Sequence, residues 1–99
     1  MASTSLESTS VELAAMGFSA LGDPIRLRIL GELTDGPRCV CELLEEIDIA
    51  ANLLSYHLRV LREAGLVEAS RRGRWVDYSL APEGFDTLRS AIPAAGADA

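Results

Sequence analysis

Apolar positions recur at helical spacing along most of this chain and alternate only around residue 70. From about Ser10 to Leu21, Leu13, Met16, Gly17 and Ala20 form a stripe that Val11, Ala14, Phe18 and Leu21 widen. That predicts a helix packed both on its own domain and on a partner. Gly22-Asp23-Pro24 predicts the next helix start: Asp23 can cap, and Pro24 suits the first helical position, where a missing N–H is harmless. Ile25, Leu27, Ile29, Leu30 and Leu33 carry that helix to about Thr34, and Asp35-Gly36-Pro37 stops it. A short helix is expected from Val40 to Ile47, a turn over 48–51, and a longer helix over Ala50–Ala64 that Gly65 ends. Leu66–Arg72 and Arg74–Leu80 then read as strands around an Arg72-Gly73 turn. Pro82–Ile92 closes the pattern as a helix with Phe85, Leu88 and Ile92 in register. Residues 1–8 and 93–99 read as flexible ends of a single domain over 9–92.

The helix over Ala50–Ala64 carries the candidate chemistry. Leu54, Leu58 and Leu61 line one face, and Asn52, Ser55, Tyr56, His57, Arg59 and Arg62 occupy the others. Such a helix either enters a DNA major groove or is simply solvated, and its own residues do not choose. The net charge of −6 argues against nucleic acid until its distribution is considered. Between Ser55 and Leu80 there are five arginines and three acids, so this segment carries +2 and the rest of the chain −8. A short helix, a turn, a polar-faced helix and an Arg-tipped hairpin are the parts of a winged helix-turn-helix, a mainly α fold with a β-hairpin wing. The order favours DNA over a solvated surface. No Ser/His/Asp set and no Gly-rich phosphate loop suggests an enzyme. The first ten residues lack a basic, apolar leader, and no apolar run approaches the ~20 residues of a membrane span, so a cytoplasmic location is expected and no membrane partner.

Leu21-Gly22-Asp23-Pro24-Ile25-Arg26-Leu27-Arg28-Ile29-Leu30, then Cys39-Val40-Cys41-Glu42-Leu43, then Ser55-Tyr56-His57-Leu58-Arg59-Val60-Leu61-Arg62-Glu63-Ala64-Gly65-Leu66-Val67, then Gly73-Arg74-Trp75-Val76, occur in that order. Together they resemble the arsenical-resistance repressor family (ArsR/SmtB), dimeric winged-helix repressors that respond to metals. The resemblance implies that Asn52, Ser55, Tyr56, His57 and Arg59 face operator DNA and that Arg71, Arg72 and Arg74 are wing contacts. It implies a homodimer formed by the first and last helices through Leu13, Met16, Phe18, Phe85, Leu88 and Ile92, on a pseudo-palindromic duplex. The chain departs from the family pattern at Ala50, where a capping Ser is common, at Leu53, where a small polar residue is common, and at Asp77, which replaces a frequent aromatic.

The resemblance also gives Cys39 and Cys41 a role as ligands for As(III), with Sb(III), Cd(II), Pb(II) or Zn(II) as other inducers. In a regular helix residues two apart point about 200° away from each other, so two thiolates can share an ion only in an irregular first turn. A soft thiolate pair selects soft or borderline ions. Only two cysteines are present, whereas trivalent arsenic takes three thiolates in the family. The third ligand is left to solvent, a small thiol, or a partner carboxylate such as Glu7 or Glu12. Pro82–Ile92 has Glu83 and Asp86 but no His, which speaks against a zinc site there. Three alternatives stay open: the Cys pair as small buried hydrophobes, a thiol-redox repressor on the same fold, and a winged-helix protein-interaction module without DNA binding.

Overall fold

The computed structural model describes residues 2–94, with side chains from Ser10 onward. Its elements are α1 (Ala2–Leu21), α2 (Pro24–Glu32), β1 (Arg38–Cys39), α3 (Val40–Glu46), α4 (Ala51–Glu63), β2 (Val67–Arg72), β3 (Trp75–Leu80) and α5 (Pro82–Ala91). Helix α1 starts at Ala2, about two turns ahead of the expected Ser10 start, so the flexible segment expected at 1–8 is helical backbone from Ala2. Apolar spacing marks where a helix is touched, not where its backbone bonds begin. The Glu7 side chain, and the expected tail from residue 95 on, lie outside the described residues.

Asp23 caps α2 as its sequence predicts. Its Oδ1 accepts from the N–H groups of Ile25 at 2.8 Å and Arg26 at 3.1 Å. The Arg26 N–H, above all, holds the Asp23 carboxyl below its usual range. Helix α4 ends in a Schellman arrangement. The Leu66 N–H reaches the Leu61 carbonyl at 3.0 Å, the Gly65 N–H reaches Arg62 at 3.0 Å, and Gly65 takes φ 78°. In the hairpin Arg72 faces Trp75, so the two turn residues are Gly73 and Arg74, one position later than the sequence suggests. Gly73 alone takes positive φ (63°), the II′ arrangement that matches strand twist.

The sheet has three strands in the order β1-β3-β2, all antiparallel. The third strand, β1, pairs Arg38 with Tyr78 and Cys39 with Asp77. Two residues are too few to show alternation, so no pattern announced it. The core joins Ile29, Leu30 and Leu33 of α2, Leu43 and Ile47 around α3, Leu54, Leu58 and Leu61 of α4, and Leu66 and Val67 entering β2. Each such side chain contributes roughly 1.5–3 kcal/mol on burial, and together they set α3 and α4 as the two arms of a helix-turn-helix. Helix α1 meets α5 through small residues. There a Cβ on Gly17 would stand 2.6 Å from Leu88, and where α5 meets the end of α4 a Cβ on Gly84 would collide with the Gly65 carbonyl.

Candidate nucleic-acid interface

Helix α4 divides into two faces. Leu54, His57, Leu58 and Leu61 are buried, while Asn52, Leu53, Ser55, Tyr56, Arg59 and Arg62 are exposed. Ala50 occupies the N-cap position with no side-chain hydrogen bond, as a residue without a polar side chain must. The Arg59 guanidinium lies over the Tyr56 ring, 5.8 Å from its centre, which restricts both groups on the open face.

His57 corrects the sequence reading. It is 6% exposed and points into the protein, not toward DNA. Its Nδ1 lies 3.0 Å from the Arg26 guanidinium. Arginine only donates, so Nδ1 accepts and the ring proton is assigned to Nε2. The reason lies in the spacing: 54, 57, 58 and 61 are one helical stripe, and His57 belongs to it. Arg26 also donates to the Ala20 carbonyl at 2.7 Å and lies 3.5 Å from that of Ser19, tying α1, α2 and α4 together. Arg28 donates to the Glu46 carbonyl at the end of α3 (2.9 Å), and Arg38 to the Glu32 carbonyl at the end of α2 (3.2 Å). Positive groups at helix C-termini satisfy carbonyls that the helix leaves free. Sequence reasoning missed all three, because a single Arg on a helix carries no periodic signal.

The wing exposes Arg71, Arg72 and Arg74. Arg72 is engaged: its Nε donates to Asp77 at 2.9 Å and a terminal nitrogen to the other carboxylate oxygen at 3.3 Å. The Asp77 hydrogen bond raises the Arg72 pKa further. Among the described residues Arg59, Arg62, Arg71 and Arg74 are in no ion pair. Trp75 is 51% exposed at the wing tip.

Cys39 is extended (φ −86°, ψ 168°) at the N-cap of α3 and half-buried, whereas Cys41 lies inside the helix and is exposed; both are free thiols. The Cys39 N–H donates to Glu42 Oε1 at 2.9 Å, and this bond, first of all, lowers the Glu42 pKa. No group of three or more His, Cys, Asp or Glu side chains poised for a metal ion occurs among the described residues. The donor set fits an ion that takes two thiolates and completes its shell from outside, and it does not fit a closed site built by one chain.

The residues expected at a dimer interface separate. Leu13, Met16 and Ile92 are each half or more exposed, as is Val11, and Phe18 is 38% exposed. Leu88 is a correction: it is 5% exposed and packs against Gly17 of its own chain, so a partner cannot reach it. Phe85 is partly buried against the same core. No helix among the described residues is long and apolar enough to cross a membrane.

Comparison with known proteins bears on this geometry. Residues 23–69 match a family profile described as bacterial regulatory protein, arsR family. The arsenical resistance operon repressor of Bacillus subtilis is 40% identical over 74 residues, covering 74% of this chain and 70% of that protein. A transcriptional repressor SmtB homolog of Synechocystis is 45% identical over 64 residues, covering 65% of this chain but 48% of that protein. Among solved structures, the homodimeric winged helix-turn-helix DNA-binding domain of a possible ArsR-family regulator from Mycobacterium bovis superposes with TM-score 0.75. It is 31% identical and covers 85% of this chain and 76% of that one.

Proposed function

The chain belongs to the ArsR family of bacterial regulatory proteins, transcriptional regulators and not enzymes, and from that premise we propose a repressor that is released from operator DNA by a soft ion. It binds its operator, a pseudo-palindromic duplex, as a homodimer, and the ion acts at Cys39 and Cys41. The observation that carries this reading is the grouping of exposed cations. On a chain of net charge −6, Arg59, Arg62, Arg71 and Arg74 stand on the open face of α4 and the wing beside it, in no ion pair among the described residues. Neutralising phosphates with these side chains releases counterions and gives affinity that falls steeply with salt. Asn52, Ser55 and Tyr56 then meet base edges in the major groove. Exposed Leu13 and Met16 on one face of α1, Val11 and Phe18 on another, and Ile92 at the C-cap of α5 support a second copy as the cover for apolar surface.

Two thiolates would hold a soft or borderline ion: As(III) first, with Sb(III), Cd(II), Pb(II) and Zn(II) as other candidates. Cys39 is extended at the start of α3 and Cys41 lies in its first turn, so an ion held by both sulfurs bears directly on that turn. That turn leads directly to Leu43, fully buried in the core shared with Leu54 and Leu58 of α4. Displacing it shifts the reading helix. Release needs only a few kcal/mol of differential affinity between the two arrangements.

The test uses fluorescence anisotropy with the duplex upstream of the protein's own coding region. The reduced protein is expected to bind, to lose affinity between 50 and 200 mM salt by orders of magnitude, and to be released by arsenite. A Cys39→Ser/Cys41→Ser double variant is expected to bind equally well and to stay bound. Release of that variant by arsenite would refute the assignment to the thiols. The exposed Cys41 thiol beside the half-buried Cys39 also suits oxidation, and release by peroxide but not by arsenite would favour a redox sensor on the same surface.

A further inference from the structure

The open face of α4 is not uniformly polar. Leu53 is 40% exposed and Tyr56 47% exposed, and at i and i+3 they are neighbours on one flank of the helix. Asn52, Ser55 and Arg59 lie on the remainder of that face. Leu53 is the third residue of α4, and the N-terminal residues of a recognition helix are those that reach base edges. The imidazole that could have added a hydrogen-bonding group to this helix is instead turned inward, onto Arg26. An aliphatic side chain has one favourable partner on the floor of a major groove, the C5-methyl group of thymine.

We propose that Leu53, flanked by Tyr56, is a specificity-determining residue that packs on a thymine methyl group in each half-site. This rests on the DNA-binding reading above and adds a base class to it. Continuity with the cationic face supports this occupant: Leu53 neighbours Tyr56, and Tyr56 lies under Arg59, so a duplex seated on Arg59 and the wing brings its groove floor over the first turn of α4. Tyr56, already held by Arg59, walls that contact on one side.

The test selects tightly bound duplexes from a random-sequence pool with the full chain, then replaces each thymine singly with deoxyuridine, which removes only the methyl group. Affinity is expected to fall about fourfold, the worth of one buried carbon group, at one thymine per half-site and to hold elsewhere. Leu53→Ala, which is expected to leave the melting temperature and the salt slope unchanged, should bind thymine and uracil duplexes equally at that position. A selected duplex that no uracil replacement weakens would overturn the proposal while leaving DNA binding intact. So would a Leu53→Ala protein that keeps the full discrimination. A pool from which no duplex is enriched would overturn both readings.

Discussion

Two sets of arginines occupy the same small protein and do opposite things. Arg26, Arg28 and Arg38 turn their guanidinium groups onto carbonyls of Ala20, Glu46 and Glu32, and Arg26 also onto His57. They fasten α1 to α2, α2 to α3 and the end of α2 to β1. Among the described residues Arg59, Arg62, Arg71 and Arg74 are in no ion pair. The chemistry of the side chain is identical, and only the neighbourhood decides whether it serves the fold or remains available to a ligand. Net charge hides this distinction. An acidic chain presents a cationic face because its acids lie elsewhere, not because its cations are many.

The contrast breaks if the two sets respond alike to mutation. The largest expected effect is on DNA affinity in an Arg59→Ala/Arg71→Ala/Arg74→Ala protein. Each lost phosphate contact removes about 0.9 from the salt slope and roughly tenfold in affinity near 0.1 M salt. In a homodimer the triple variant loses up to six such contacts, so it should weaken binding by several orders of magnitude with an unchanged melting temperature. A smaller effect of another kind is expected from Arg26→Ala, which deprives the Ala20 carbonyl and the buried His57 ring of their donor. Urea unfolding should show a loss of about 1–3 kcal/mol, and the salt slope of the residual DNA binding should be unchanged. A change in slope there would place Arg26 in the wrong set.

The smallest effect concerns the carboxylates that begin α2 and α3. Asp23 and Glu42 both have lowered pKa values, chiefly through the N–H groups of Arg26 and Cys39. A carboxyl whose folded pKa is depressed contributes stability above its ordinary value and loses it as pH falls through the depressed one. Thermal stability should accordingly decline on acidification below the usual carboxylate range, and Asp23→Asn and Glu42→Gln should each flatten that decline. The arginines do not titrate in this range, so the same pH series separates caps from cations.

Much of the frame was legible along the chain. Asp23-Pro24, Gly65 and Gly73 each impose a local geometry that few alternatives satisfy, and the element boundaries fall within a few residues of them. The stripe of Leu54, Leu58 and Leu61 gave α4 its buried face. The same stripe holds His57, but a titratable ring among polar neighbours reads as surface until a donor such as Arg26 is found opposite, 31 positions away in the chain. Strand β1 and the contact between Gly17 and Leu88 share that difficulty. Each depends on a segment remote in sequence, and neither leaves a periodic trace of its own. Leu88 looked available to a partner because helical spacing shows which residues share a face, not which helix covers it.

One short strand has mechanical consequences. Cys39 is both the last residue of β1 and the residue that begins α3, and across the sheet it faces Asp77, which clamps Arg72. The start of α3 thus has two load paths, one through the core to α4 and one through β3 to the wing. A pull on Cys39 cannot tilt one without straining the other. Helix α4 and the wing share a single anchor, and the anchor is a cysteine.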